Sequence, residues 1–287
     1  MQCLRQKVAL RQKCTMVLTD YHIHTEFSDD STAPIEGMVR AEIEKGMTHI
    51  CFTDHVEDCC HDDPVSYEVD AFSNVRDDFF AAASQMREKY KGVLDIRTGI
   101  ELGGANHDVN CAKEISAPGG LDFIIGSVHN LRREKDFFAI RYKSLEECRE
   151  IVRRYLLENI EMAEAGLCDV LGHLGFPNKF MFEQGFDVKL TEFPDELKCL
   201  FKMLAEKGIG IEINTSGLRR KIMDSAPDLS VVKLYRELGG EIITVGSDAH
   251  REEHAGYGID YGFEILRQAG FKYITVFEER KPKFLKF

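Results

Sequence analysis

The chain alternates short apolar segments with longer amphipathic ones from Val17 onward, and this alternation restricts its fold more than any other feature. The apolar segments have the length of strands, and the helical segments that follow often end in a glycine, as at Gly46, Gly166 and Gly208. Strands that alternate with helices form parallel sheets through right-handed crossovers. Seven or eight such units without a break in composition predict one α/β domain, folded as a closed or nearly closed barrel.

The two ends of the chain stand apart from this pattern. Four basic residues near the N-terminus, without the apolar core of a secretory signal, are Arg5, Lys7, Arg11 and Lys13. We therefore predict a basic extension over residues 1–16, with Met16 as an alternative start, and a barrel domain over residues 17–287. The charged residues after Phe277 are expected to be peripheral. A length of 287 residues suits one α/β barrel, which commonly has about 250.

The composition narrows the class of protein. A net charge of -12 argues against a general nucleic-acid binder, whose surface must be basic to meet phosphates. Nine cysteines without a Cys-x-x-Cys pair indicate reduced thiols, and the adjacent Cys59-Cys60 pair next to His61 is a poor metal chelator. No apolar run reaches the about 18 residues of a membrane span. We expect a cytoplasmic protein without membrane or nucleic-acid partners, in an oligomeric state that the sequence leaves open.

Metal-binding residue types follow the predicted strands at the points where the strands end. The first strand ends in His22-Ile23-His24, and two histidines at positions i and i+2 of an extended segment face the same side. Later strands end in or near His55, Glu101, His129, His173, Asp248 and His250. Barrel active sites are built at the C-terminal ends of the strands. The spacing therefore predicts one shared site.

The composition of this predicted site indicates its chemistry. Imidazole and carboxylate ligands suit zinc, iron or manganese, and they are too numerous here for one ion. Two or three ions close together activate water and hold the oxygens of a phosphoryl group. The residues by themselves thus indicate metal-assisted hydrolysis of a phosphate ester. A metal-dependent amidohydrolase-type barrel is the chemical rival, but it normally has a bridging carbamylated lysine, and no lysine follows these strands.

Six motifs resemble, in order, those of the PHP (polymerase and histidinol phosphatase) family, and they extend from about Asp20 to His250. They are His22-Ile23-His24 with Ser28 and Asp30, Thr53-Asp54-His55, Gly99-Ile100-Glu101, Ser127-Val128-His129, Gly172-His173-Leu174 and Ser247-Asp248-Ala249-His250. The segment from Glu212 to Arg219 is similar to the histidinol-phosphatase branch. The resemblance implies a distorted (β/α)7 TIM-like barrel in a single domain, with a trinuclear metal site whose bridging hydroxide attacks phosphorus.

The resemblance also implies a ligand set for three divalent transition-metal ions, Zn, Mn or Fe. The first ion would be bound by His22, His24, Glu101 and Asp248. The second ion, bridged through Glu101, would be bound by His129 and His173. The third ion would be bound by Asp30, His55 and His250. Some relatives have a histidine where this chain has Asp30, and a carboxylate there favours a harder ion.

Candidate substrate residues follow two of the strands. Arg219 is the first choice for binding the phosphate and neutralising its developing charge, because a guanidinium matches phosphate oxygens. Lys179 is the second, at a position where relatives of this branch often have an arginine within a Gly-His-Leu-Asp stretch. Gly175 stands here in place of that aspartate, which leaves the exact substrate open.

Further pocket residues rest on position alone. Ser127 and Asn130, beside the His129 strand end, are candidate substrate contacts, and His254 is a candidate acid for the leaving group. A cationic organic substrate would suit the acids of the loop after His55, which are Glu57, Asp58, Asp62 and Asp63.

The leading hypothesis is a phosphoric monoester hydrolase, an L-histidinol-phosphate phosphatase of histidine biosynthesis. The alternative enzyme is a PHP phosphoesterase acting on another small phosphate, such as a nucleotide or sugar phosphate. A non-catalytic metal-binding PHP module is a hypothesis of another class. Lost ligands would mark such a module, and the set is complete here.

Overall fold

The computed structural model describes residues 17–64, 71–117 and 119–287, so the basic extension predicted over residues 1–16 lies outside the described residues. The strands are β1 (Thr19–Ile23), β2 (His49–Phe52), β3 (His55–Val56), β4 (Asp95–Gly103), β5 (Phe123–Ser127), β6 (Val170–Leu171), β7 (Gly210–Asn214), β8 (Ile243–Gly246), β9 (Tyr273–Glu278) and β10 (Lys281–Lys286). The α-helices are α1 (Ile35–Lys45), α2 (Ala71–Lys89), α3 (Val109–Ser116), α4 (Leu145–Ala165), α5 (Phe176–Glu183), α6 (Pro194–Lys207), α7 (Leu229–Glu237) and α8 (Ile259–Gln268).

Seven parallel strands form the barrel in the order β1-β2-β4-β5-β6-β7-β8, and the short β3 pairs with the end of β4. The ring closes between β1 and the segment after β8. There the amide of Asp248 donates to the carbonyl of His22 at 2.8 Å, and the amide of His24 donates to the carbonyl of Ala249 at 2.9 Å. The predicted (β/α)7 barrel is confirmed.

The helices cover the outside of the barrel with one apolar face each. In α1 the buried apolar side chains are Ile35, Met38 and Val39, at the i, i+3 and i+4 spacing of one helix face. Helix α4 has a capped start, because the Ser144 hydroxyl accepts the amide N–H of Glu147 at 3.1 Å. Within the described ranges, every helix is too short or too polar to span a bilayer.

The C-terminal segment adds a strand to the predicted pattern. The charged residues after Phe277 form β10, which pairs antiparallel with β9 and is mostly exposed, as expected for a peripheral segment. This hairpin covers the amino end of the barrel: Phe277 packs on Phe123 at a ring-centroid distance of 4.9 Å, and Arg280 donates to the carboxylate of Asp169, the residue before β6. The hairpin closes the end of the barrel opposite to the predicted site.

Candidate metal centre

The predicted ligand residues meet at the carboxyl end of the barrel, around Glu101 of β4. Glu101 Oε1 lies 3.1 Å from Nε2 of His129 and 2.8 Å from Nε2 of His173. Its other oxygen, Oε2, lies 3.1 Å from Nε2 of His22 and 3.4 Å from Nε2 of His24. One buried carboxylate therefore faces two pairs of histidines with its two oxygens, which is the geometry of a bridging ligand.

Two further sets of ligand atoms surround this carboxylate. Asp248 Oδ1 lies 3.8 Å from Nε2 of His22 and 3.5 Å from Nε2 of His24. On the solvent side, the Nε2 atoms of His55 and His250 are 3.4 Å apart, and the carboxylate of Asp30 lies 3.1 Å from His250. The structure thus brings together all nine residues that the sequence predicts as ligands.

The hydrogen bonding of the buried ligand atoms tests whether these residues suit metal ions. Nε2 of His22, Nε2 of His24 and Oε2 of Glu101 are buried and make no hydrogen bond. Buried polar atoms are nearly always hydrogen-bonded. Two imidazole nitrogens and a carboxylate oxygen that face one another without hydrogen bonds therefore need a cation between them. Imidazole and carboxylate groups without a thiolate fit a divalent zinc, manganese or iron ion.

Contacts behind the ligands orient the imidazole rings. Nδ1 of His22 lies 2.7 Å from Glu212 Oε1, and the other oxygen of Glu212 accepts the amide of His173 at 2.8 Å. Nδ1 of His24 lies 3.1 Å from the hydroxyl of Ser28, which donates to Asp54 at 2.7 Å. A contact at Nδ1 leaves Nε2 of the same histidine ring available to bind a metal ion. The sequence analysis assigned no role to Glu212 or Asp54, although a charged residue inside the Ile211–Ile213 strand segment was a usable signal.

Glu57 also contacts a candidate ligand from behind. Its Oε1 lies 2.7 Å from Nδ1 of His129, and its side chain lines the cleft. Of the four acids predicted to meet a cationic substrate, the structure places only Glu57 there. Asp58 is buried and accepts from the Ser73 hydroxyl, Asp62 is exposed, and Asp63 lies 2.6 Å from Nδ1 of His107.

Two candidate ligands have a backbone conformation that is rare for residues with a side chain. His173 has a φ of 26° and Asp248 a φ of 56°. Such conformations cost energy and persist where the surroundings impose them, often at functional sites. Both residues lie two positions after the end of a barrel strand, where the side chain of His173 contacts Glu101 and that of Asp248 lies beside His22 and His24.

The charges of the centre depend on one another. Burial disfavours the charged form of Glu101, but His22, His55 and His129 outweigh it and hold the pKa of this carboxyl well below its usual range. Burial likewise lowers the pKa of His55, but Glu101 and Asp30 raise it to about 9. Without metal ions the cluster would thus hold protons between its carboxylates, and divalent ions would replace those protons.

A cleft of about 820 Å³ opens above the ligands and contains the predicted phosphate-binding residues. Arg219 donates to the carbonyls of Ser247 and Asp248 at 2.8 and 2.9 Å, which fixes its guanidinium at the rim of the centre. The ammonium of Lys179 lies 4.0 Å from the centre of the Phe176 ring. Burial lowers the pKa of Lys179 to about 8.

Aromatic and acidic side chains also line the cleft. Phe138 is 55% exposed and lies 6.3 Å from Phe180 between ring centroids. Asp136, close in sequence to Phe138, also lines the cleft. His254 lies at the rim, where burial and Arg219 lower its pKa.

Two predicted substrate contacts lie outside the lining of the cleft. Ser127 is fully buried and donates to Glu101 Oε1 at 2.6 Å, so its hydroxyl faces the bridging carboxylate. The amide of Asn130 donates to Asp63 and to the carbonyls of Leu131 and Glu134. Both residues follow or end β5, but their side chains organise the ligands and a loop.

Gly175, which stands where relatives have an aspartate, is in the left-handed region with a φ of 103°. This conformation favours glycine, and it turns the chain directly into α5. Helix α5 in turn carries Phe176, Lys179 and Phe180 to the cleft.

The comparisons with known proteins concern both sequence and structure. The PHP domain family model matches residues 20–216. A probable histidinol-phosphatase of Thermotoga maritima is 28% identical over 263 residues, which cover 90% of this chain and 95% of that protein. A histidinol-phosphatase of Lactococcus lactis is 26% identical over 271 residues, which cover 91% of this chain and 95% of that protein.

A crystal structure has the same fold. It is that of histidinol phosphate phosphatase from Lactococcus lactis complexed with Zn, L-histidinol and phosphate, and the TM-score is 0.78 at 23% identity. The match covers 94% of this chain and 100% of that chain. The strand-end motifs lie where the family resemblance predicts them, and the family model spans well over half of the sequence. The chain belongs to the PHP domain family.

Proposed function

We propose that this protein is a metal-dependent phosphoric monoester hydrolase that acts on L-histidinol phosphate, with three divalent ions held at the carboxyl end of the barrel. The observation that carries the proposal is Glu101, whose two oxygens face His129 and His173 on one side and the first-strand histidines on the other. The pathway would be histidine biosynthesis in the cytoplasm.

The residues of the centre have different roles. When bound, divalent ions supply an activated water and neutralise the oxygens of a phosphoryl group. Glu101 would hold ions with its two carboxylate oxygens, and the carboxylates of Asp248 and Asp30 would add negative charge beside His22 and His250. Glu212 holds the His22 ring in place at 2.7 Å, so that this ligand does not reorient during turnover.

The phosphate would lie between the centre and two of the cations that line the cleft, Arg219 and Lys179. Arg219 uses two of its five N–H donors on backbone carbonyls and keeps the others for phosphate oxygens. Its fixed position adds charge stabilisation without reorganisation in the transition state. Lys179 adds a second charge from a buried site beside Phe176. Both roles remain predictions from position and charge.

The rest of the cleft suits a leaving group that is flat and partly cationic. Phe138 and Phe180 offer ring faces to an imidazole, and the buried carboxylates of Asp136 and Glu57 add negative charge that favours an amine. His254 at the rim is the candidate to protonate the leaving oxygen. The relatives from Thermotoga maritima and Lactococcus lactis, which carry the histidinol-phosphatase name, support the same substrate.

The test is phosphate release from L-histidinol phosphate against a panel of nucleotide and sugar phosphates, with enzyme loaded separately with Mn, Zn, Fe or Co. We expect a preference for L-histidinol phosphate, abolished by His22→Ala because the first ion loses a ligand. An exposed histidine outside the cleft, changed as His61→Ala, is the matched control and should retain activity.

The other outcomes separate the alternatives. Better turnover of another ester would keep the hydrolase and replace the substrate. Absence of turnover with ions bound would contradict catalysis and favour a metal-binding module. The cleft is lined by four cationic side chains, Lys179, Arg219, Arg220 and Arg251, and this observation favours an anionic substrate over such a module.

A further inference from the structure

We propose that Glu57 is a positioning residue of the metal centre, which holds His129 in the orientation needed to bind the ion shared with Glu101 and His173. The inference rests on the proposed metal centre and adds to it a residue outside the ligand set. Glu57 follows β3 directly and reaches across β4 to a histidine that follows β5.

The distances define what Glu57 does to His129. Its Oε1 lies 2.7 Å from Nδ1 of His129, which can therefore donate its N–H to the carboxylate. The opposite nitrogen, Nε2, lies 3.1 Å from Glu101 Oε1 and 3.2 Å from Nε2 of His173. A proton held on Nδ1 leaves the lone pair of Nε2 for a metal ion. Glu57 thus selects both the tautomer and the orientation of the ring.

The absence of a side chain at Gly103 leaves room for the Glu57 carboxylate. A Cβ placed on Gly103, the last residue of β4, would overlap both carboxylate oxygens of Glu57. The side chain of Glu57 is 5% exposed, and Cys60 Sγ lies 3.9 Å from its Oε2. The carboxylate therefore occupies a fixed, buried position that depends on a glycine in the neighbouring strand.

The same arrangement recurs on the other side of the centre. Glu212 contacts Nδ1 of His22 at 2.7 Å, the same distance that separates Glu57 from Nδ1 of His129. Each half of the centre thus has one histidine backed by a carboxylate. Glu57 is also 3.6 Å from Nδ1 of His55, so its charge acts on ligands of two predicted ions.

The experiment measures metal binding and needs no substrate. Metal-stripped wild type, Glu57→Ala, Glu57→Gln and Gly103→Ala are titrated with Zn²⁺ against a chromogenic chelator, and bound zinc is counted by mass spectrometry. Loss of a partner behind a ligating histidine lowers metal affinity by about 10- to 100-fold. We expect this loss for one of the ions in Glu57→Ala and Gly103→Ala. Glu57→Gln should lose less, because its amide oxygen still accepts the N–H of His129.

Asp62→Asn is the matched control, since Asp62 is an exposed acid of the same loop, and its zinc affinities should equal those of wild type. Zinc affinities of Glu57→Ala within twofold of wild type would overturn the inference while leaving the metal centre intact. If Glu57→Ala does not fold, unchanged affinities in both Glu57→Gln and Gly103→Ala would have the same meaning. A wild-type protein that binds no Zn²⁺, Mn²⁺ or Fe²⁺ would overturn both proposals.

Discussion

Lys179 is a buried cation between two phenylalanine rings, and its surroundings predict a pH dependence. Burial disfavours the ammonium form and lowers its pKa to about 8, so the free enzyme loses this charge as the pH rises through about 8. A phosphate ester is then bound less well. We expect kcat/KM to fall above pH 8, with a smaller change in kcat, in steady-state profiles between pH 6 and 10.

The assignment of the alkaline decrease to Lys179 can be tested with a residue that stays positively charged. In Lys179→Arg the alkaline decrease of kcat/KM should move to higher pH, because a guanidinium keeps its proton throughout this range. The same profile in Lys179→Arg and wild type would assign the decrease to another group.

Phe138 is a large apolar side chain exposed in the cleft, and its position predicts a role in recognising the leaving group. Aromatic contacts contribute about 0.5–1.5 kcal/mol, so Phe138→Ala should raise KM for L-histidinol phosphate by about 2- to 10-fold. The KM for glycerol phosphate, which has no ring, should not change. Equal effects on the two substrates, measured in the same metal-loaded preparations, would contradict ring recognition.

At the scale of elements, helix α5 connects the centre to the cleft. Phe176, Lys179 and Phe180 lie at positions i, i+3 and i+4 and therefore share one face of the helix. The helix begins directly after Gly175, close to the ligand His173. The strand end thus supplies a ligand, and the next helical turn supplies the wall that receives the substrate.

The β9–β10 hairpin closes the barrel at the end away from the cleft, and this position predicts a stability effect. Phe277 is 2% exposed and packs on Phe123, so Phe277→Ala should lower the free energy of unfolding by about 3–5 kcal/mol. Urea unfolding measures the change. Phe284→Ala, on the same hairpin but half-exposed, should change it by less than about 0.5 kcal/mol. Equal losses for the two variants would contradict the packing role of Phe277.

At the scale of the whole molecule, ion binding should contribute to stability. Carboxylates and histidines of six strand-end segments converge on one centre, and ions that bind the folded form stabilise it. Free metal at about 100 times its Kd adds about 2.7 kcal/mol per site. We expect chelator-treated protein to unfold at lower temperature in calorimetry, and readdition of Mn²⁺ or Zn²⁺ to reverse the change. An unchanged unfolding temperature would contradict a folded-state metal centre.

The grouping of the nine candidate ligands could be predicted from the sequence, but the residues that contact them from behind could not. Ser127 and Asn130 satisfy the same positional rule as His129, yet one donates to Glu101 and the other to a loop. A residue that follows a strand in the sequence can be assigned to one end of the barrel. The direction of its side chain, however, depends on the local backbone and on packing. Glu57 illustrates the converse, since its sequence position indicated only an acidic loop.

The sequence by itself determined the barrel and the location of the centre. Strands that alternate with helices pair in parallel, and parallel strands bring their carboxyl ends to one face whatever the details of the loops. Only the tertiary structure decided which atoms meet there. The contact of His22 with Glu212 joins residues 190 positions apart, and that of Glu57 with His129 joins residues 72 apart. These contacts exist because the ring of strands closes, and ring closure is a property of the whole chain that no local pattern contains.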